Sequence, residues 1–271
     1  MNGQEGLLLK QHKGKSARKN LVFTSAGDRS NLALWCKSRR DFDLWICYYG
    51  DYPGTLIDLA DYYVIRKGGK FPNLKYCVER WRDIFEQYDA IMVADDDLLM
   101  KTNDFSALFG IREKYGISVL QPAFDLRGKI SHRITREQSF SFLRYTNFVE
   151  VTCPLFCKDD LLDFMSVYDP ELVCWGVDWW FVEHIGNPEQ RRFAVVDYVT
   201  CINPHDHQKG GGREIDRIQS DQKRIENWHR YKQRYGLKAE DDGYKIYGAI
   251  PAPLNMRTLY RALRRAFVKR L

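Results

Sequence analysis

The chain lacks both glycine-rich signatures that most often mark a nucleotide-binding enzyme. Its first strand-like stretch does not run into G-x-G-x-x-G, and no G-x-x-x-x-G-K-[ST] loop occurs. Without glycines that let the backbone close on a pyrophosphate, NAD enzymes and P-loop ATPases lose ground. CxxC pairs are missing too. The seven cysteines, Cys36, Cys47, Cys77, Cys153, Cys157, Cys174 and Cys201, are odd in number and scattered, which fits reduced thiols in a cytosolic protein. The segment Met1 to Lys10 holds one three-residue apolar run, too short for a signal-peptide core or a membrane span. A net charge of +6, with acids interspersed among the bases, does not imply a nucleic-acid partner.

What is present points to an α/β protein. At 271 residues the chain suits one large domain or two small ones, and one is preferred. Residues 1–19 are polar and basic and read as a leader. Asn20 to Asp28, Phe42 to Asp51 and Asp61 to Arg66 are short apolar strands alternating with helical segments, the pattern of a mainly parallel sheet flanked by helices. Ser30 and Asn31 cap a helix start, and a helix from Asn73 to Gln87 carries a core-facing stripe of Leu74, Cys77, Val78, Trp81, Ile84 and Phe85. Beyond it we expect a helix from Asp104 to Tyr115 and a strand from Ile117 that Pro122 closes. The polar stretch Gly128 to Arg136 and the aromatic residues after it read as a loop over the cleft. Phe148 to Phe156 alternates like a half-wet strand, Lys158 to Tyr168 forms an amphipathic helix, and Arg192 to Tyr198 forms another strand.

Three stretches carry chemistry. Ile91-Met92-Val93-Ala94 has no polar alternation, as a strand covered on both faces requires, and it ends in Asp95-Asp96-Asp97. Ligands bind outside the carboxyl ends of strands in open α/β sheets, and adjacent carboxylates repel unless a cation or shared proton neutralises them. A divalent-metal site and a solvated acidic turn both fit. In Cys174-Trp175-Gly176-Val177-Asp178-Trp179-Trp180-Phe181 a lone acid lies among large aromatics. Burial of such a charge is costly unless it is paired or protonated, so Asp178 is either a working acid or a helix-start residue balancing the dipole. Finally, Asn203-Pro204-His205-Asp206-His207 places two histidines around an acid just after a strand. The basic turn Lys67-Gly68-Gly69-Lys70 could meet phosphate, or could simply be solvated.

In this order the stretches resemble the glycosyltransferases of the GT-A fold. Asp95-Asp96-Asp97 resembles their D-x-D motif, and Trp175-Gly176-Val177-Asp178-Trp179-Trp180 their acceptor-side segment. More narrowly, the acid strand end, Ser131-His132-Arg133 and the Trp-x-x-Asp-x-Trp segment resemble a plant and bacterial family of unknown function, known in plants as related to lysine-ketoglutarate-reductase trans-splicing. The likeness implies a nucleotide-sugar and acceptor domain over residues 20–212, a nucleotide-diphosphate sugar donor, and a glycan or lipid-linked acceptor. Asp95, Asp97 and His205 would hold Mn²⁺ or Mg²⁺ across the donor diphosphate, and Asp178 would be the base of an inverting transfer. Thr24, Ser25, Asp28, Lys70 and Asp96 are the expected donor contacts, and Trp175, Gly176, Trp179 and His132 the acceptor contacts. A retaining transfer, a non-catalytic nucleotide-sugar or glycan binder, and a metal-dependent phosphohydrolase remain open.

The last quarter, residues 213–271, reads as a helical extension. A long helix from Arg213 to Lys238 carries Ile215, Ile218, Ile225, Trp228 and Tyr231 on one stripe, expected against the sheet. Residues 254–271 combine an apolar face with five arginines and Lys269. That pattern suits the anionic inner face of a membrane, a docked terminal helix or a dimer contact. The expected location is therefore cytoplasmic, with this segment the candidate peripheral contact.

Overall fold

The computed structural model describes residues 8–9, 18–208, 214–241, 243–254, 258–259 and 262–263. In chain order the strands are β1 (Leu8–Leu9), β2 (Asn20–Ala26), β3 (Phe42–Tyr48), β4 (Tyr62–Ile65), β5 (Ala90–Val93), β6 (Val119–Phe124), β7 (Ser141–Thr146), β8 (Leu155–Cys157), β9 (Phe193–Cys201) and β10 (Ile246–Pro251). The helices are α1 (Leu32–Trp35), α2 (Lys70–Arg80), α3 (Arg82–Phe85), α4 (Thr102–Tyr115), α5 (Lys158–Val167), α6 (Val177–Ile185), α7 (Glu214–Ile218) and α8 (Asp221–Tyr235).

All ten strands form one sheet in the order β1-β4-β3-β2-β5-β8-β6-β9-β7-β10. The neighbours β4, β3, β2 and β5 run parallel, as do β6 and β9, while β8, β7, β10 and β1 add antiparallel pairs. Alternate residues of β5 feed opposite faces, Ile91 and Val93 one core and Ala90 and Met92 the other. The first core packs α2, α3, α5, α6 and α8 on one side, and the second packs α1 and α4 on the other. A parallel strand buried on both faces needs no polar alternation, which is why β5 reads as a continuous apolar run. From β2 the chain builds outward through β3 to β4, then returns to lay β5 on the other side of β2. The crevice between the carboxyl ends of β2 and β5 is therefore a topological switch point.

Several elements differ from expectation. Pro122 lies within β6 rather than closing it, and the strand runs on to Phe124. The register against β9 slips between Pro122 and Ala123, so the missing N–H falls at an irregularity where the ladder tolerates it. Ser141 to Thr146, within the stretch expected to loop over the cleft, is strand β7, paired with β9 and β10. In the stretch Phe148 to Phe156 only the end is strand, as β8 begins at Leu155. The expected helix from Asn73 to Gln87 begins at Lys70 and breaks at Trp81, whose ψ of 43° is non-helical, into α2 and α3. The long C-terminal helix is likewise two, with Ser220 capping α8 by accepting from the Lys223 amide. Its stripe meets α6 rather than the sheet, with the Tyr231 ring 5.6 Å from that of Trp180. Nor is the segment after 213 only helical, since β10 closes the sheet edge beside β7.

No helix among the described residues is long and apolar enough to cross a membrane. Most of the leader 1–19 and of the amphipathic segment 254–271 lies outside the described residues.

Candidate functional site

The acid turn sits at the switch point. Asp96 turns inward, and its Oδ2 accepts a 2.9 Å hydrogen bond from the backbone N–H of Gly27 at the end of β2. This contact joins the ends of the two strands. A Cβ on Gly27 would come 2.6 Å from the Tyr49 ring, so glycine lets that tyrosine lie close beside the turn. Burial together with Asp97 and Asp95 pushes the Asp96 carboxyl up to about 8. Tyr49 is pushed well above the ordinary phenol range by burial and the same acids. Asn31, expected to cap α1, instead bonds the turn: its amide N–H reaches the Asp96 carbonyl at 2.7 Å and its side chain the Asp97 carbonyl. Below the turn, Leu99 and Ile202 form an antiparallel bridge.

Asp95 faces a different partner. Lys70, the first residue of α2, sends its ammonium 2.7 Å to Asp95 Oδ1, with side chains 10% and 40% exposed respectively. The same ammonium donates to the carbonyls of Val151 and Thr152, each at 2.8 Å. Thr152 also accepts from the Asp95 amide at 2.9 Å. Three donors on one nitrogen thus meet three fixed oxygens. The segment from Glu150 to Thr152 is thereby clamped to the acid turn.

On its other side this segment meets Asp178. That acid lies in the first turn of α6, 6% exposed. It accepts from the amides of Val151 and Trp179, the latter at 3.0 Å. Burial outweighs these bonds and raises its carboxyl to about 7. Asp178 is thus an acid in the first turn of α6, where the helix dipole favours its charged form and burial opposes it. Lys70, Val151 and Thr152 therefore place Asp95 and Asp178 at one end of the sheet.

Glu150 was not anticipated from sequence. It is 4% exposed, its Oε1 accepts from the Thr152 hydroxyl at 2.9 Å, and its Oε2 is buried without a partner. Burial pushes this carboxyl up to about 8, with Asp178 and Asp95 adding and the Thr152 hydroxyl and Lys70 opposing. The only cue was an acid inside an apolar run, and the strand reading put it on a wet face.

Aromatic side chains roof the buried acids. Phe148 lies 4.7 Å from the His132 ring and 4.6 Å from the Trp179 ring. Tyr244 stacks on Trp179 at 5.5 Å and its hydroxyl bonds His132 Nδ1. Burial lowers the His132 pKa. Burial, Asp178 and Glu150 push the Tyr244 phenol up to about 12. His132 and Trp179 thus stand together, joined by Phe148 and by a tyrosine from the C-terminal extension.

Other anticipated residues are placed differently. Thr24 is fully buried, and the Ser25 hydroxyl accepts from the Asn73 side chain at 3.0 Å, so both face inward rather than into the crevice. Asp28 is exposed, and it accepts from the Tyr48 hydroxyl and the Asp51 amide. These bonds lower its carboxyl below the ordinary value. Gly176 has φ of +88°, and a Cβ there would approach Trp228 of α8 to 2.2 Å. Its lack of a side chain is needed for packing against Trp228. Trp175 is half exposed. His205 is partly buried, stacked on His207 at 5.6 Å, three residues beyond the Leu99 bridge. Among the described residues no group of three His, Cys, Asp or Glu side chains stands ready to hold a metal ion. With Asp95 on Lys70 and Asp96 on Gly27, the residues do not form a preassembled metal centre.

No known family profile and no curated protein matches the sequence, so the narrower family likeness rests on its three motifs alone. Among solved structures the chain is similar to S. aureus TarS, at 8% identity over 70% of this chain and a TM-score of 0.48. It spans 37% of that chain's length. It is also similar to residues 1–349 of TarS in complex with UDP, at 11% identity over 79% of this chain and 72% of that one, with a TM-score of 0.45. A third similar structure is a putative nucleotide-diphospho-sugar transferase from Desulfovibrio desulfuricans G20, at 9% identity, 93% and 98% coverage and a TM-score of 0.40.

Proposed function

We propose that the chain is a glycosyltransferase that moves a sugar from a nucleotide-diphosphate sugar to a hydroxyl of a glycan or lipid-linked acceptor. One observation carries this reading: the switch-point acids and the buried Asp178 are joined through Lys70, Val151 and Thr152 at one end of the sheet. A transferase needs both groups within one substrate complex, anionic donor on one side and proton acceptor on the other.

In this reading the donor lies over the crevice between β2 and β5, with Asp28 facing its ribose or base and Lys70 balancing charge at the acid turn. The acceptor lies against Tyr244, Trp179 and His132, with Trp175 at the rim. Asp178 takes the proton of the attacking hydroxyl, and its raised carboxyl suits that task near neutral pH. The hydroxyl oxygen bonds to the sugar carbon as the diphosphate leaves with the bonding electrons. If configuration is retained, Asp178 orients the acceptor and the departing phosphate takes the proton. Mn²⁺ or Mg²⁺ belongs to the proposal as an ion accompanying the diphosphate, where it would balance the leaving charge; Asp97 and His205 would be the residues to hold it, while Asp95 is paired with Lys70.

The test is incubation with a panel of nucleotide sugars and acceptors, with Mn²⁺, Mg²⁺ or chelator, reading released nucleoside diphosphate. Release that depends on acceptor supports the transferase. Phosphate release favours a hydrolase, and tight binding without release favours a binder.

A further inference from the structure

The chain's 42 lysines and arginines stand against 36 aspartates and glutamates. Residues 254–271 hold six of those bases, Arg257, Arg261, Arg264, Arg265, Lys269 and Arg270, and no acid. The rest of the chain is therefore balanced, 36 against 36, and the whole formal excess of +6 sits on this one stretch. At helical spacing Met256, Leu259, Tyr260, Leu263 and Phe267 share one face, and all the bases except Arg270 fall on the other. The backbone is helical at Thr258, Leu259, Ala262 and Leu263. Leu259 and Leu263, one turn apart, are 48% and 62% exposed, so the fold does not cover this apolar face there. Thr258 is buried, and its hydroxyl donates to the Pro253 carbonyl at 2.7 Å, which ties the start of the stretch to the end of β10. Beside that root, the Ala252 amide donates to the Phe140 carbonyl at 2.9 Å. Phe140 and Leu254 are both exposed. Single exposed leucines are ordinary, but here they coincide with all of the chain's unbalanced charge.

We propose that residues 254–271 are a surface contact for an anionic phospholipid bilayer, with Leu259 and Leu263 entering the boundary between headgroups and acyl chains and the basic residues meeting the lipid phosphates. Charge alone would suit a nucleic acid equally. An apolar face beside a basic one favours the lipid interface, which has a place for each. Six charges in eighteen residues exclude a span, so the segment lies on the bilayer. This surface goes beyond the transferase reading and does not depend on it.

The experiment floats the full chain, without substrates, on vesicles of phosphatidylcholine alone or with about 30% phosphatidylserine. Partition onto the anionic vesicles should exceed that onto the neutral ones by about tenfold or more, and should fall by a similar factor in about 0.5 M salt. Arg264→Gln combined with Arg265→Gln should weaken it by about tenfold or more. Leu259→Ser combined with Leu263→Ser should do the same. Unchanged circular dichroism and Tm show that each variant is folded, and the two variants are read independently. Absent binding, binding indifferent to headgroup charge, or binding untouched by the leucine substitutions overturns the proposal. So does capture of a nucleic-acid duplex without vesicle binding, or dimerisation lost in the leucine variant without vesicle binding, which would make the stretch a nucleic-acid or a dimer contact instead.

Discussion

Lys70 concentrates more of the site's geometry than any other side chain described. Its ammonium serves an acid from the β5 turn and two carbonyls from the segment leading to β8. In Lys70→Met those oxygens lose the ammonium, Thr152 keeping the Asp95 amide, and we expect a stability loss of about 1–3 kcal/mol, read by denaturant unfolding. The estimate sits at the modest end because Asp95 is partly exposed and water can replace one contact. Asp97→Ala should leave stability within about 1 kcal/mol of the parent while donor turnover is lost, because the turn lies outside both cores. Asp178→Asn should bind donor normally, with transfer reduced by about 10²-fold or more. Calorimetry with the nucleotide and a rate assay separate the two effects.

At the scale of elements, α6 is positioned by its neighbour α8 through Gly176. A methyl there meets Trp228 at 2.2 Å in a backbone with positive φ, so Gly176→Ala should cost about 2–4 kcal/mol. Thermal unfolding checks this, and a loss under 1 kcal/mol would mean that α8 docks more loosely than described. The elements legible in the sequence were those whose local pattern matches their burial. The apolar run of β5 and its acids, the strands β2 to β4, and α4 and α5 all follow from periodicity and turn residues. Strand β7 escaped because its Arg144 reads as a surface residue. That arginine is buried against Asp197 at 2.8 Å and bonds the carbonyls of Ile134 and Arg136. Its charge partner, Asp197, lies 53 residues along the chain, which no local window contains. Tyr244 and Glu150 were missed for the same reason, since their meaning depends on Trp179 and Asp178 arriving from elsewhere.

For the whole molecule, three raised carboxyls set a pH dependence. Asp96, Glu150 and Asp178 each prefer the protonated state in the fold, at about 8, about 8 and about 7. The unfolded chain holds fewer protons between about pH 4 and pH 8. The stability these groups contribute is therefore full below about pH 4 and declines as pH rises towards 8. We expect the Tm to fall across that window and the fall to flatten in Glu150→Gln, measured by calorimetry at fixed ionic strength. The mainly parallel half of the sheet was foreseen from the alternation of elements. The long-range pairing that brings β8 between β5 and β6 was not, because register between distant segments is set by tertiary packing.

In the proposed transferase, acid turn and buried acid serve one reaction. Acceptor-dependent release of nucleoside diphosphate, compared among the parent chain, Asp97→Ala and Asp178→Asn, tests it most directly. Release by the parent with at least one nucleotide sugar, and its loss in both variants while each stays folded, is the predicted result. Undiminished release in either variant would contradict it.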